Sequence, residues 1–163
     1  MNYWAYLRGG KKAAAEPAPE PAPVLEYASW ELVPPSVWVW PNFRPRELAC
    51  KGTGRIRLQR KAVGALQDLR HKIGKPMLIT SAYRSAEHNA RVGGAPNSRH
   101  MFGDAFDVVM EDHDPVAFET AAREAGFRGF GYYPESTPPF MHIDMGPARK
   151  WGTPFPKKDI DNG

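Results

Sequence analysis

Of the five histidines His71, His88, His100, His113 and His142, two have a carboxylate at a spacing that could build a reactive site. His100 precedes Asp107 in Ser98-Arg99-His100-Met101-Phe102-Gly103-Asp104-Ala105-Phe106-Asp107, where a turn at Gly103 would return the chain so that both side chains face one point. His142 sits in the strand-like stretch FMHID, and Asp144, two residues on, shares its strand face. Two imidazoles and one carboxylate suit zinc, and three protein ligands leave the fourth tetrahedral position for water. Zinc held in this way polarises a carbonyl and acidifies its water, so peptide hydrolysis is the reaction class that fits. The competing reading of the same residues is a solvated loop and a buried strand histidine.

Ser98-x-His100-x-x-Gly103-x-Ala105-x-Asp107 resembles the S-x-H-x-x-G-x-A-x-D signature of the zinc D-alanyl-D-alanine carboxypeptidases, metallopeptidase family fifteen, within the wider lysostaphin, D-Ala-D-Ala peptidase and hedgehog-like group. Ser81-Ala82-Tyr83-Arg84-Ser85, His88-Asn89 and Val92-Gly93-Gly94-Ala95 resemble the lead-in to that signature. With FGYYP and FMHIDMGPARKW, the resemblance runs from about residue 40 to 152. It implies that His100, Asp107 and His142 hold Zn2+ and that Arg84 binds a substrate carboxylate, for which a planar guanidinium is well shaped. The other reading of Arg84 is a structural salt bridge. Ser98 would line the site or orient Asp107, and His88 would line the substrate groove or sit on a helix surface.

The chain departs from the family pattern at the general base. Many members carry an acid three positions before the last zinc histidine, and others a histidine two before it; here those positions are Pro139 and Phe140. Asp144 is the nearest alternative, either as the base or as the group that holds His142 in one tautomer. Glu135, in the loop upstream, is a weaker candidate. His113, among Glu111, Asp112 and Asp114, reads as a capping or solvent-facing residue, and Tyr132, Tyr133 and Trp151 as core or groove wall.

These residues need a scaffold. The chain has 163 residues, enough for one compact domain, and a single cysteine, Cys50, which excludes an internal disulfide and multi-cysteine zinc sites. Residues 55 to 73 place Ala62, Leu66, Leu69 and Ile73 at helical spacing ahead of Gly74, predicting an amphipathic helix. Asp114-Pro115 opens a second helix that ends near Gly126. Strands are expected at residues 37–40, 77–80, 105–110, 129–133 and 140–145. The expected class is α+β, a small and mostly antiparallel sheet flanked by helices, in the hedgehog/D-Ala-D-Ala-peptidase manner the resemblance implies.

AAAEPAPEPAP, residues 13–23, favours an extended spacer, so residues 1–36 are expected to be a flexible N-terminal segment, 37–155 the peptidase domain and 156–163 a tail. Ahead of the spacer, Tyr3, Trp4, Tyr6 and Leu7 are a docking peptide or a disordered end. The start MNYWAYLRGGKK has no apolar run of signal-peptide length, and no stretch approaches the roughly 18 apolar residues of a membrane span, so no membrane insertion is expected. With 22 Lys plus Arg against 18 Asp plus Glu, the net charge of +4 is mild and mixed and does not argue for nucleic acid. The resemblance implies a peptidoglycan peptide substrate containing D-alanine, cut by a monomer at the bacterial cell wall or periplasm. It fits a carboxypeptidase, a murein endopeptidase or a phage or prophage endolysin. The alternative is a catalytically inactive zinc-binding domain with a wall-binding or virion structural role.

Overall fold

The computed structural model describes residues 23–156. In chain order the elements are β1 (Val24–Tyr27), α1 (Pro45–Leu48), β2 (Ile56–Gln59), α2 (Arg60–Ile73), β3 (Ile79–Ser81), α3 (Ala86–Arg91), α4 (Arg99–Phe102), β4 (Ala105–Val109), α5 (Pro115–Ala125), β5 (Gly129–Tyr133), β6 (Phe140–Asp144) and β7 (Arg149–Gly152). β1 and β2 form an antiparallel pair, and the other strands form a five-stranded sheet in the order β3-β4-β6-β5-β7. Every pairing in that sheet is antiparallel except β5 with β7. The α+β class and the mostly antiparallel sheet are as expected.

The sheet has two unlike faces because successive side chains alternate. Phe106 and Val108 of β4, Phe130 of β5, and Met141 and Ile143 of β6 are fully buried and join one core with Ala62, Leu66 and Leu69 of α2 and Phe118 and Ala122 of α5. Truncating a side chain such as Phe106 there costs about 3–5 kcal/mol. The residues between them, Asp107, His142 and Asp144, point to the opposite face, where the chemistry lies.

The helix expected over 55–73 begins only at Arg60. Ile56 and Leu58 are buried while Arg57 is exposed, a period of two rather than 3.6, and they face Tyr27 and Leu25 of β1. β1 therefore belongs to the fold, with Leu25 and Val33 both in the core. Residues from Val24 on, expected within the N-terminal segment, thus pack with the fold, because β2 needs a pairing partner and Leu25 supplies apolar cover. The strand expected at 37–40 is replaced by a 3-10 turn at Pro35–Val37 leading into Trp38 and Trp40, whose rings meet edge to face at 5.0 Å. Consecutive Pro34 and Pro35 cannot donate to a ladder, and this favours the turn.

α5 starts as expected, with Asp114 Oδ1 accepting from the Ala117 amide at 2.8 Å. His113, expected to cap the helix or face solvent, is buried at 6% exposure, its ring 5.5 Å from that of Phe118. Among the described residues no helix is long and apolar enough to cross a membrane. The spacer up to residue 22, the N-terminal aromatic cluster and the tail from residue 157 lie outside the described residues.

Candidate metal centre

The register of the sheet aligns its site-facing residues in rows. One row runs Asp107, His142, Gly131, Trp151 across β4, β6, β5 and β7; the next runs Ala105, Asp144, Gly129, Arg149. His100 reaches the first row from α4. That helix stops after one turn at Gly103, whose φ of +74° is left-handed and whose missing Cβ leaves room for the Arg57 carbonyl oxygen. The turn expected at Gly103 is thus present.

His100 Nε2 lies 3.2 Å from Asp107 Oδ1 and 3.1 Å from His142 Nδ1, and His142 Nδ1 lies 2.9 Å from Asp107 Oδ1. All three residues are buried to within a few per cent. The outer edge of each ring shows what the inner atoms offer. His100 Nδ1 is 2.7 Å from the Ala82 carbonyl oxygen, which can only accept, so the hydrogen sits on Nδ1 and Nε2 presents a lone pair. His142 Nε2 is 2.9 Å from Asp144 Oδ2, which places its hydrogen there and leaves Nδ1 bare. With both rings neutral in these tautomers, two nitrogen lone pairs and a carboxylate oxygen converge, a donor set that suits a cation. Ligands on zinc bonds of about 2.0–2.2 Å stand roughly 3.3–3.5 Å apart in a tetrahedron, so the triangle accepts the ion with small outward shifts. Among the described residues this is the group of metal-ligand side chains whose donor atoms all lie within 4.8 Å of one another.

Burial would raise the Asp107 carboxyl, but the His100 and His142 rings against it outweigh burial and hold it well below the usual carboxylate range. Burial likewise opposes ionisation of Asp144, and is outweighed by hydrogen bonds from His142 and Arg149. For His142, burial lowers the pKa, yet its contacts with Asp107 and Asp144 raise it overall.

The cluster floors an open groove of about 550 Å³ whose walls include Arg84, Asn97, Ser98, Tyr133, Phe140 and Trp151. Arg84 is held by Ser81 Oγ and Asn89 Oδ1, each accepting at 3.2 Å, with its Nη2 3.9 Å from Asp107 Oδ2. Ser98 lines the groove at the head of α4, while the side chains against the Asp107 carboxylate are the two histidines and Arg84.

The sequence model of the peptidase M15 family matches residues 41–144, most of the chain and all three cluster residues. The chain belongs to the peptidase M15 family. Over 93 residues it is 39% identical to the zinc D-Ala-D-Ala carboxypeptidase of Streptomyces albus G, a stretch covering 55% of this chain and 36% of that protein. Over 82 residues it is 39% identical to the peptidoglycan L,D-endopeptidase MepK of Escherichia coli K12, covering 47% and 44% respectively. A probable MepK of Haemophilus influenzae is 36% identical over 78 residues, covering 45% and 41%. The chain spans less than half the length of these curated relatives. The M15 match ends at Asp144, so β7, with Arg149 and Trp151, lies beyond it.

Within the M15 domain three expectations need correction. Asp144 does not face the groove as a base: it is fully buried, with His142 Nε2, the Gly146 amide and both terminal nitrogens of Arg149 on its oxygens. It stands at the ring edge of His142 remote from the cluster. His88 does not line the groove, because α3 turns its ring against Gly52, where a Cβ would collide with it. Glu135 is exposed and is not part of the groove wall.

Sequence reasoning assigned no role to Asn89, Arg149 or the two strand glycines. A Cβ on Gly131 would lie 2.6 Å from the Trp151 ring, and one on Gly129 would meet Arg149 Nη1 at 2.5 Å. The signal was available in Gly129-x-Gly131, a period of two inside a strand, where glycine marks a close approach.

Proposed function

We propose that this chain is a zinc-dependent peptidase that hydrolyses peptide bonds in peptidoglycan stem peptides or cross-bridges at the bacterial cell wall. The observation that carries the reading is the convergence of two imidazole nitrogens and a carboxylate oxygen, 2.9–3.2 Å from one another, on the floor of an open groove. Family membership supports it, and relatives named for a D-Ala-D-Ala carboxypeptidase and for a peptidoglycan L,D-endopeptidase support the substrate class.

His100, Asp107 and His142 would hold the ion. When bound, zinc supplies Lewis-acid polarisation of a carbonyl and activation of water. Arg84, fixed by Ser81 and Asn89, pairs with a substrate carboxylate and so aligns the scissile bond above the cluster. The Ala82 carbonyl and Asp144 keep the two imidazoles in the tautomers that present their lone pairs inward. Ser98 adds a hydroxyl to the groove wall, and Tyr133, Phe140 and Trp151 give it an apolar side.

One observation favours a second reading, a metal-binding but inactive domain. Among the described residues lining the groove, Asp107 is the sole carboxylate, and it belongs to the cluster. Incubation of the zinc-loaded chain with purified sacculi separates the two. Release of muropeptides that is lost in His142→Ala supports the peptidase; pelleting with sacculi without any release establishes the inactive domain.

A further inference from the structure

Arg149 enters the site from β7 and is two side chains removed from the cluster. Its Nη1 donates to Asp144 Oδ1 at 2.9 Å and its Nη2 to Asp144 Oδ2 at 2.6 Å, a fork-to-fork pair. Asp144 has no exposed surface, whereas the Arg149 side chain is 38% exposed, so the ion pair is anchored inside and reaches outward to the groove wall.

The fork is aimed by three features. Gly129 stands between Arg149 and Asp144 in the same row, and a Cβ there would occupy the path of the guanidinium. Gly146 opens the other side, since a Cβ on it would come within 3.2 Å of Arg149 Nη1. Arg149 itself is steadied by the Trp151 ring, 4.8 Å from its guanidinium carbon, and by the Pro147 carbonyl, which accepts from Nη1 at 3.0 Å. A buried carboxylate held by a rigid bidentate partner cannot rotate about its last torsion, so Oδ2 stays where His142 Nε2 needs its acceptor.

We propose that Arg149 is a positioning residue for the metal centre, locking Asp144 so that His142 presents Nδ1 to the cation. This assigns the parallel strand β7 a purpose: it carries Arg149 and Trp151 to the back of a metal ligand. The inference rests on the zinc-centre reading given above. The ordering runs outward from the metal as His142, Asp144, Arg149, and each step fixes one torsion of the step before it.

Arg149→Met, which keeps an apolar stem over Trp151, and Arg149→Lys, which keeps a cation but not the fork, test this in the full chain. The readouts are zinc affinity by competition with a chromophoric chelator, the visible spectrum of the cobalt-substituted protein, and thermal unfolding of each metal-free variant. Arg149→Met is expected to weaken zinc binding about 10–100-fold and to shift the cobalt spectrum, with Arg149→Lys intermediate. Adding Arg149→Met to Asp144→Asn should weaken binding no further, because both act through one carboxylate. If Arg149→Met and Arg149→Lys lower the unfolding temperature but bind zinc as the parent does, Arg149 is only a structural ion pair and the inference is wrong. Should Arg149→Met fail to fold, unchanged zinc affinity in Arg149→Lys overturns the inference by itself. A parent chain that binds no zinc would instead defeat the metal-centre reading.

Discussion

His142 Nε2 lies 2.9 Å from Asp144 Oδ2, on the ring edge opposite the Nδ1 that lies 2.9 Å from Asp107 Oδ1. One imidazole thus bridges a carboxylate at its outer edge and a carboxylate that joins it in the candidate metal cluster. The geometry separates two acids only two positions apart in the register: Asp107 lies among the candidate ligand atoms, and Asp144 contacts the far edge of the ring.

Asp144→Asn is therefore expected to behave as a ligand-support variant. Zinc affinity should fall about 10–100-fold, while at saturating zinc the acid limb of the pH profile of kcat should stay where it is in the parent. Loss of that limb would return Asp144 to the role of general base.

Because the metal site exists only in the folded chain, zinc should raise the unfolding temperature. At about a hundredfold over the dissociation constant the gain is about 2.7 kcal/mol. Calorimetry with and without zinc should show this shift in the parent and lose it in His100→Ala and in His142→Ala. Equal shifts in parent and variants would place zinc elsewhere.

Arg84→Lys keeps the charge but not the planar fork, so recognition of a substrate carboxylate should suffer. For a peptide with a free C-terminus kcat/KM should drop about 10–100-fold, in line with about 1.5–3 kcal/mol for a hydrogen bond to a charged group. An amidated peptide should discriminate little between parent and variant. A common loss on both peptides would mean that Arg84 supports the fold through Asn89 and Ser81 rather than reading the substrate.

His113 gives the chain an acid-sensitive point away from the site. Its burial, and Lys75 nearby, hold its pKa below the ordinary 6.5. The unfolded chain then binds a proton that the folded chain refuses, so the stability tied to His113 is complete above about pH 7 and declines as the pH falls through 6.5 towards the lower folded value. Unfolding midpoints at pH 7.5 and 5 should differ less in His113→Phe than in the parent. An unchanged difference would show that other groups carry the acid sensitivity.

Local rules made much of the scaffold legible. Asp114-Pro115 and Gly126 bracket α5, Gly74 ends α2, and alternation in FMHID placed His142 and Asp144 on one face. Errors arose where an element depends on a distant partner. Ile56 and Leu58 are strand residues because Tyr27 and Leu25 lie beside them, and nothing within 55–73 announces that pairing. β7 escaped notice for the same reason, since Arg149–Gly152 carries little apolar alternation and is held by its parallel match to β5.

What the sequence by itself determined was the donor set and its local presentation: His100 and Asp107 on either side of the Gly103 turn, His142 two residues from Asp144, and Arg84 in the lead-in. Those relations span a turn or a strand period, which short-range backbone geometry dictates. Only the tertiary structure decided which nitrogen of each histidine turns inward, that Asp144 stands behind His142, that His88 faces Gly52, and that Arg149 reaches Asp144 across Gly129. These depend on which strands lie side by side and in what register, and the core packing of the whole chain sets that order.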